Sequence, residues 1–276
     1  MISEEAGPEG FARIRILLLL ASLSAWVPFF ASWHSLQGMV HCGSSGLGPL
    51  SVSFNSLLMV NPPATFMAGW AVMVVAMMFP LLTGPTYHIC SNCFVHHQRR
   101  LTTLFVLSYS FVWMMVGVVL WTVELIGKLL VPGTWLLASI VAIVALIWQC
   151  SPVKQRCLNR CHLRHPLSAF GRSAEYDAIS FGFMHGVWCT GSCWVWMLLP
   201  LLLPRGHFVA MVPIAALILS ERLEHPDSLR WRWRGPGKAI RILIAQARIR
   251  LDSRERSWAP NQHMPCSRIP GSWDQY

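Results

Sequence analysis

Apolar residues along this chain gather in six long stretches that contain no Asp, Glu, Lys or Arg. They cover residues 16–33, 65–83, 103–123, 134–148, 179–203 and 207–219. A helix needs roughly 20 mostly apolar residues to cross a bilayer, and the last stretch is the shortest. The pattern predicts an all-α fold, a polytopic membrane helix bundle of about six transmembrane helices.

Charge changes this picture by giving the bundle an orientation. The net charge is +10, yet all but two of the 22 Lys and Arg residues precede the first stretch, lie between the second and third or the fourth and fifth, or follow the sixth. Only Lys128 and Arg205 fall on the opposite side. Basic loops stay in the cytoplasm, so we expect a multi-pass protein of the inner (plasma) membrane with both termini cytoplasmic. The lipid bilayer is the expected partner, and no nucleic acid is expected.

The last part of the chain differs in composition from the rest. We expect residues 1–222 to form the transmembrane helical domain and residues 223–276 to form a basic cytoplasmic tail. Within the tail, residues 238–251 alternate basic and apolar side chains at helical spacing. That pattern is typical of a helix on an anionic membrane surface.

Candidate chemistry begins in the fifth stretch, where His185, Cys189 and Cys193 follow one another at intervals of four residues. On a helix this spacing aligns them along one face, although His185 and Cys193 are about 12 Å apart along the axis. Imidazole and thiolate ligands suit Cu(I), with Zn(II) second. The alternative is packing, because small residues such as Gly182 and Gly186 let membrane helices approach closely.

A second group of candidate ligands follows the fourth stretch and consists of Cys150, Cys157, Cys161 and His165. Pro152 predicts the start of a short helix, on which Cys157, Cys161 and His165 share a face. The cations Lys154, Arg156 and Arg160 are expected to lower the thiol pKa. The alternative is an interfacial basic helix with incidental thiols. If both groups bind metal, an ion could pass from Cys157 and Cys161 to His185 and Cys189.

A third group is the C-x-x-C of Cys90 and Cys93 in a loop expected to be cytoplasmic. It is half of a structural zinc signature, and it could instead be a redox pair. The second stretch adds Met77 and Met78, which are thioether candidates. A methionine there is more often a packing residue than a ligand.

Several of these segments together resemble an uncharacterised prokaryotic family of predicted metal-binding integral membrane proteins, a domain of unknown function. The matching motifs are Trp70-x-x-Met73-x-x-Ala76-Met77-Met78-x-Pro80, Tyr109-x-x-x-Trp113, Gln149-Cys150-Ser151-Pro152-x-Lys154-x-x-Cys157-Leu158-x-x-Cys161, Gly182-x-x-x-Gly186-x-x-Cys189-x-Gly191-x-Cys193-Trp194 and Glu221-Arg222. The chain departs from the family pattern at Ser192, where a cysteine is usual, and at His207, where a methionine-containing turn is usual. The resemblance implies metal binding within a membrane bundle.

The sequence therefore favours an integral membrane metal-binding protein that handles copper or delivers it to a partner. That partner would be a metal-receiving membrane or periplasmic protein. Two alternatives stay open, a membrane thiol/quinone oxidoreductase and a non-catalytic transporter or scaffold subunit. No catalytic residue or organic cofactor site is predicted, so a role other than that of an enzyme is favoured.

Overall fold

The structure, a computed structural model, describes residues 6–34, 63–131, 133–163, 166–168, 171–203, 207–224 and 226–233, with residues 237, 241, 244–246 and 248. Residues 34–61 form the loop that we expect on the side of the membrane opposite the cytoplasm. This loop lies almost wholly beyond the described residues, and so does His165. By internal contacts the chain divides into two units, Met1–Gly235 and Pro236–Tyr276.

Eight α-helices make up nearly all of the described chain. They are α1 (Ala6–His34), α2 (Pro63–Met78), α3 (Thr83–Asn92), α4 (Val95–Leu130), α5 (Thr134–Cys150), α6 (Pro152–Cys161), α7 (Gly171–Leu202) and α8 (His207–Arg222). A 3-10 turn, Phe79–Leu82, joins α2 to α3. No strand occurs among the described residues, so the all-α prediction is confirmed.

Among the described residues, three helical stretches are long and apolar enough to cross a membrane: Gly10–Phe30, Pro63–Asn92 and His97–Leu130. A fourth is added if α5 and α6 count as one span bent by 66°. Helix α8 has only 16 residues, and α7, although it has 32, carries His185 and many Gly, Ser and Thr residues. Helices occupy all six predicted stretches, but the six-span topology stays a prediction.

Two breaks in the helices follow from proline. Pro80 is the second residue of the 3-10 turn after α2, and such an irregularity is expected where a residue lacks a backbone N–H. Ser151 is extended and accepts a hydrogen bond from the backbone N–H of Val153 at 3.1 Å, so it caps α6 just before Pro152. These residues turn the chain sharply and lay α6 against α7.

Helices α4 and α7 form the central packing of the bundle, and glycine makes their close approach possible. A methyl group on Gly182 would lie 2.4 Å from the carbonyl oxygen of Phe105, and one on Gly186 would lie 3.0 Å from Cβ of Val112. Both glycines therefore serve helix packing, which is the alternative that the sequence left open for them.

A buried polar network joins the ends of the last four helices. Nζ of Lys154 lies 2.7 Å from Oε1 of Glu221, and both side chains are almost fully buried. Gln149 donates to the same carboxylate oxygen and accepts hydrogen bonds from Lys154 and Trp196. The network ties α5, α6, α7 and α8 together and fixes the position of the residue after Glu221, which is Arg222.

The described part of the tail contacts the bundle near this network. The backbone N–H of Arg232 donates to the carbonyl of Cys150, and the Asn159 side chain donates to the carbonyl of Asp227. In the second unit, residues 237, 241, 244–246 and 248 have helical backbones and exposed side chains, and the membrane-surface helix stays a prediction.

Candidate metal-binding cavity

A cavity of about 320 Å³ lies where α3, α6, α7 and α8 meet. Its polar walls are formed by His88, Cys161, His162, His185 and Arg222. We call it the His–Cys cavity. It collects residues from four helices that are far apart in sequence, and two of them, Cys161 and His185, are predicted ligands.

His185 has an unused ring nitrogen at this cavity. The residue is only 5% exposed, and its Nε2 has no hydrogen-bond partner. The rings of Phe105, Tyr109 and Phe181 surround it, with centroid distances of 6.1, 5.9 and 5.9 Å. A buried polar atom without a partner costs free energy, so the hydrogen-bonding capacity of Nε2 is left unused in the fold.

The two cysteines of α7 lie deeper in the bundle than His185. Both are fully buried, and the Sγ of Cys189 lies 3.2 Å from the hydroxyl of Tyr109. Cys193 donates its S–H to the carbonyl oxygen of Cys189 at 3.1 Å. Cys189 is thus the α7 thiol nearer to His185, one helical turn away.

The cysteines of α6 face α7, so the two groups of candidate ligands meet. A methyl group on Gly191 would lie 2.7 Å from the Sγ of Cys157, which shows how tightly this thiol packs on α7. Cys161, one turn later, lines the His–Cys cavity together with His185. The sequence predicts two separate sites between which an ion passes. The fold instead brings one member of each group, Cys161 and His185, to one cavity.

The expectation that nearby cations would lower the pKa of the α6 thiols is wrong. Lys154 is turned away into the ion pair with Glu221, and the Arg160 guanidinium lies 5.6 Å from the centre of the Trp188 ring. Burial raises the pKa of Cys157, which Arg156 only partly opposes, and burial also raises the pKa of Cys161.

Arg222 is a functional candidate that the sequence interpretation missed. Its Nε and Nη2 atoms are buried without a hydrogen-bond partner, and the residue lines the His–Cys cavity together with Cys161 and His185. Its own carbonyl oxygen lies 3.2 Å from Nε2 of His162. The signal available in the sequence was the pair of opposite charges, Glu221-Arg222, that ends an apolar stretch.

The remaining predicted ligands lie elsewhere. Cys150 is half-buried at the end of α5, and Met77 and Met78 are buried in the apolar core. In α3, Cys90 is buried, and the Gln98 side chain donates to its carbonyl at 2.9 Å. None of these side chains lines the His–Cys cavity.

The cavity therefore offers few donors, and they are soft. Within the part of the chain that the structure describes, no three His, Cys, Asp or Glu side chains converge closely enough to hold a metal ion together. A four-ligand zinc site is therefore not formed by these residues. The cavity brings together the thiol of Cys161 and the imidazole of His185, and a thiolate is the soft kind of ligand that Cu(I) prefers.

Comparison with known proteins gives one family. The profile of the PpoB2 family, described as a copper chaperone, matches residues 67–243, and this stretch contains every motif that carries the resemblance seen in the sequence. Neither the curated proteins nor the solved structures give a match. Because the match covers more than half of the chain, the resemblance is confirmed and the chain belongs to the PpoB2 copper-chaperone family.

Proposed function

We propose that this protein is an integral membrane copper chaperone that binds Cu(I) at the His–Cys cavity and transfers it to a partner. The observation that carries the proposal is the meeting of Cys161 and His185 at one cavity, with Cys189 one turn behind. The unpartnered Nε2 of His185 supports a bound ligand there. The family match supports copper as that ligand.

The same geometry favours transfer over permanent storage. A site with few donors releases its ion to a partner that supplies a further ligand, because ligand exchange does not require a full coordination shell to be dismantled. We expect the partner to be a metal-receiving protein in the membrane or the periplasm. No nucleic acid is involved in this proposal.

The membrane part of the proposal rests on the apolar surface of the long helices. Large apolar side chains are exposed along α1, α4 and α5, for example Leu23, Phe111 and Ile143. Such surfaces are typical of contact with lipid and not with water. We propose that the chain has six spans with both termini in the cytoplasm, as the charge distribution predicts.

Metal analysis of the purified full-length protein tests the copper function. The chain is purified anaerobically in detergent, equilibrated with Cu(I) in a chelator buffer or with Zn(II), and its metal content is measured. We expect one copper per chain and no stoichiometric zinc. If no copper is retained at chelator-buffered concentrations that load other copper chaperones, the proposed function is wrong.

Thiol labelling tests the topology separately. Cys42, which lies outside the described residues, should react with an impermeant reagent added to intact cells from outside, in a variant that retains it as the only reactive cysteine. Labelling only in inverted vesicles would overturn the orientation but would leave the copper result unaffected.

A further inference from the structure

A second concave site is a groove between residues 10–21 of α1 and residues 98–107 of α4. Its volume is about 810 Å³, and none of the residues that line it also lines the His–Cys cavity. A methyl group on Gly10 would lie 2.6 Å from Oε1 of Gln98, so the beginnings of the two helices touch there. The groove continues along the turns that follow, and we call it the arginine groove.

Two arginines, one from each helix, line the arginine groove near the end where both helices begin. They are Arg13 and Arg99, and both side chains are exposed. Neither forms an ion pair with another described residue, whereas the neighbouring Arg100 pairs with Glu175 at 3.0 Å. Among the residues that the structure describes, no Asp or Glu lines the groove. This end therefore carries positive charge that the described carboxylates do not balance.

The rest of the arginine groove is mostly apolar. Its apolar walls are formed by Ile14, Leu17, Leu18, Ala21, Val106 and Leu107. Leu17 and Leu107 are largely exposed, so the groove opens to the surroundings of the bundle. Eight residues of helix rise about 12 Å, which is the axial distance from Arg13 to Ala21. The groove thus fits a ligand with a charged end and an apolar body.

The positions of the two arginines match the level of the lipid headgroups. Arg13 precedes the apolar stretch 16–33, and Arg99 precedes the stretch 103–123. Both lie on the side that the charge distribution predicts to be cytoplasmic. In a bilayer, the charged end of the groove would then lie beside the headgroups and the apolar part beside the acyl chains.

We propose that the arginine groove binds an anionic phospholipid of the cytoplasmic leaflet. Its phosphate lies between Arg13 and Arg99, because a guanidinium presents planar N–H donors that can bind two phosphate oxygens at once. One acyl chain follows the apolar walls. Basic pockets between membrane helices on the cytoplasmic side are suited to such headgroups. The proposal rests on the membrane part of the proposed function and adds a lipid partner to it.

Two lipids with identical acyl chains test the proposal on the wild type. Phosphatidylglycerol carries one net negative charge and phosphatidylcholine carries none. The full-length protein in detergent is titrated with each lipid, and native mass spectrometry measures the bound fraction. We expect one phosphatidylglycerol per chain, bound about tenfold or more tightly than phosphatidylcholine. Equal affinities would overturn the proposal, and this comparison does not depend on the folding of any variant.

A pair of double variants locates the site. Arg13→Gln with Arg99→Gln should bring the affinity for phosphatidylglycerol to within about twofold of that for phosphatidylcholine. The matched control is Arg15→Gln with Arg100→Gln, which removes the same charge from the same two helices at residues that do not line the groove. The control should keep the preference. An equal loss in both double variants would mean that the lipid responds to the general positive charge of this end.

A soluble competitor separates a lipid site from a site for free phosphate. Glycerol 3-phosphate has the anionic phosphate but no acyl chain, so it should not displace phosphatidylglycerol. Displacement at millimolar concentrations would show that the apolar walls contribute nothing and that the assignment to a lipid is wrong.

Extraction of the membranes with alkaline carbonate separates this proposal from the proposed function. If the chain stays in the membrane but shows no preference for phosphatidylglycerol, only the lipid site is wrong. If carbonate releases the chain, the membrane part of the proposed function fails, and the lipid proposal fails with it. Copper loading should be unchanged in Arg13→Gln with Arg99→Gln, because the groove and the His–Cys cavity share no lining residue.

Discussion

Two pairs of cysteines in this protein look alike as chemistry but lie in different surroundings. Cys90 and Cys93 are three residues apart at the end of α3, where Gln98 donates hydrogen bonds to both of their carbonyls. Cys161 and Cys189 come from different helices. Cys161 lines the His–Cys cavity beside His185, whose Nε2 has no hydrogen-bond partner, and Cys189 lies one helical turn after His185. We call these the local pair and the cavity pair.

The comparison shows that spacing in the sequence is a weaker guide than convergence in space. The local pair has the spacing of half a zinc site, but within the described residues no histidine or acid completes it. The cavity pair has no spacing that marks it, since its members are 28 positions apart in the chain. It is assembled by the bend at Ser151 and by the glycines of α7.

The largest effect is expected from Lys154→Met, which breaks the network that holds α6 near α7. The change leaves Glu221 buried and unpaired, so the free energy of unfolding should fall by about 3–5 kcal/mol. Denaturant unfolding in detergent measures this free energy. Relative to the wild type, the rate of alkylation should rise more at Cys161 than at Cys90.

The matched control for Lys154→Met is Arg100→Met. It removes the ion pair between Nη2 of Arg100 and Oε1 of Glu175, whose distance of 3.0 Å is similar. The Arg100 side chain, however, is 66% exposed. The loss there should stay below about 1 kcal/mol. Similar losses in the two variants would mean that the buried network does not hold the cavity together.

The next effect separates the two pairs directly. Cys189→Ser or Cys161→Ser should weaken Cu(I) binding by on the order of 100-fold, because each removes a soft ligand. Cys90→Ser and Cys93→Ser should leave the affinity within about twofold, since neither thiol lines the cavity. Competition with a Cu(I) chelator of known affinity measures all four variants, and an equal loss in Cys93→Ser would place the metal at the local pair.

Much of the fold could be predicted from the sequence, because apolar length and helix-starting prolines act locally. Pro152 predicted the start of α6, and the predicted stretch 134–148 differs by two residues from α5. Arg222 and its thiol neighbours could not be predicted, because their meeting depends on how four helices pack. The pKa prediction for Cys157 failed for the same reason, because burial among the packed helices raises that pKa more than Arg156 lowers it.

Gly182→Ala tests whether the close packing of α4 and α7 supports the cavity. The added methyl group would lie 2.4 Å from the backbone oxygen of Phe105, so the helices must separate. We expect a stability loss of about 2 kcal/mol and a weaker Cu(I) affinity. Gly84→Ala is the control, because nothing lies within 4 Å of its added methyl group although Gly84 lines the same cavity.

The smallest effect is expected at His185, which lines the cavity together with Cys161 of the cavity pair. Its Nε2 has no partner in the metal-free protein, so His185→Ala removes a nearby donor and should lower Cu(I) affinity by about tenfold. His185→Gln keeps a polar group there but offers no imidazole. If the ring binds the ion, this variant should lose as much Cu(I) affinity as His185→Ala. Met73→Leu in the core conserves side-chain volume and should leave the affinity unchanged. An unaltered affinity in both His185 variants would limit the ligands to the cavity pair, and a loss as large as that of Cys189→Ser would make the imidazole a full ligand.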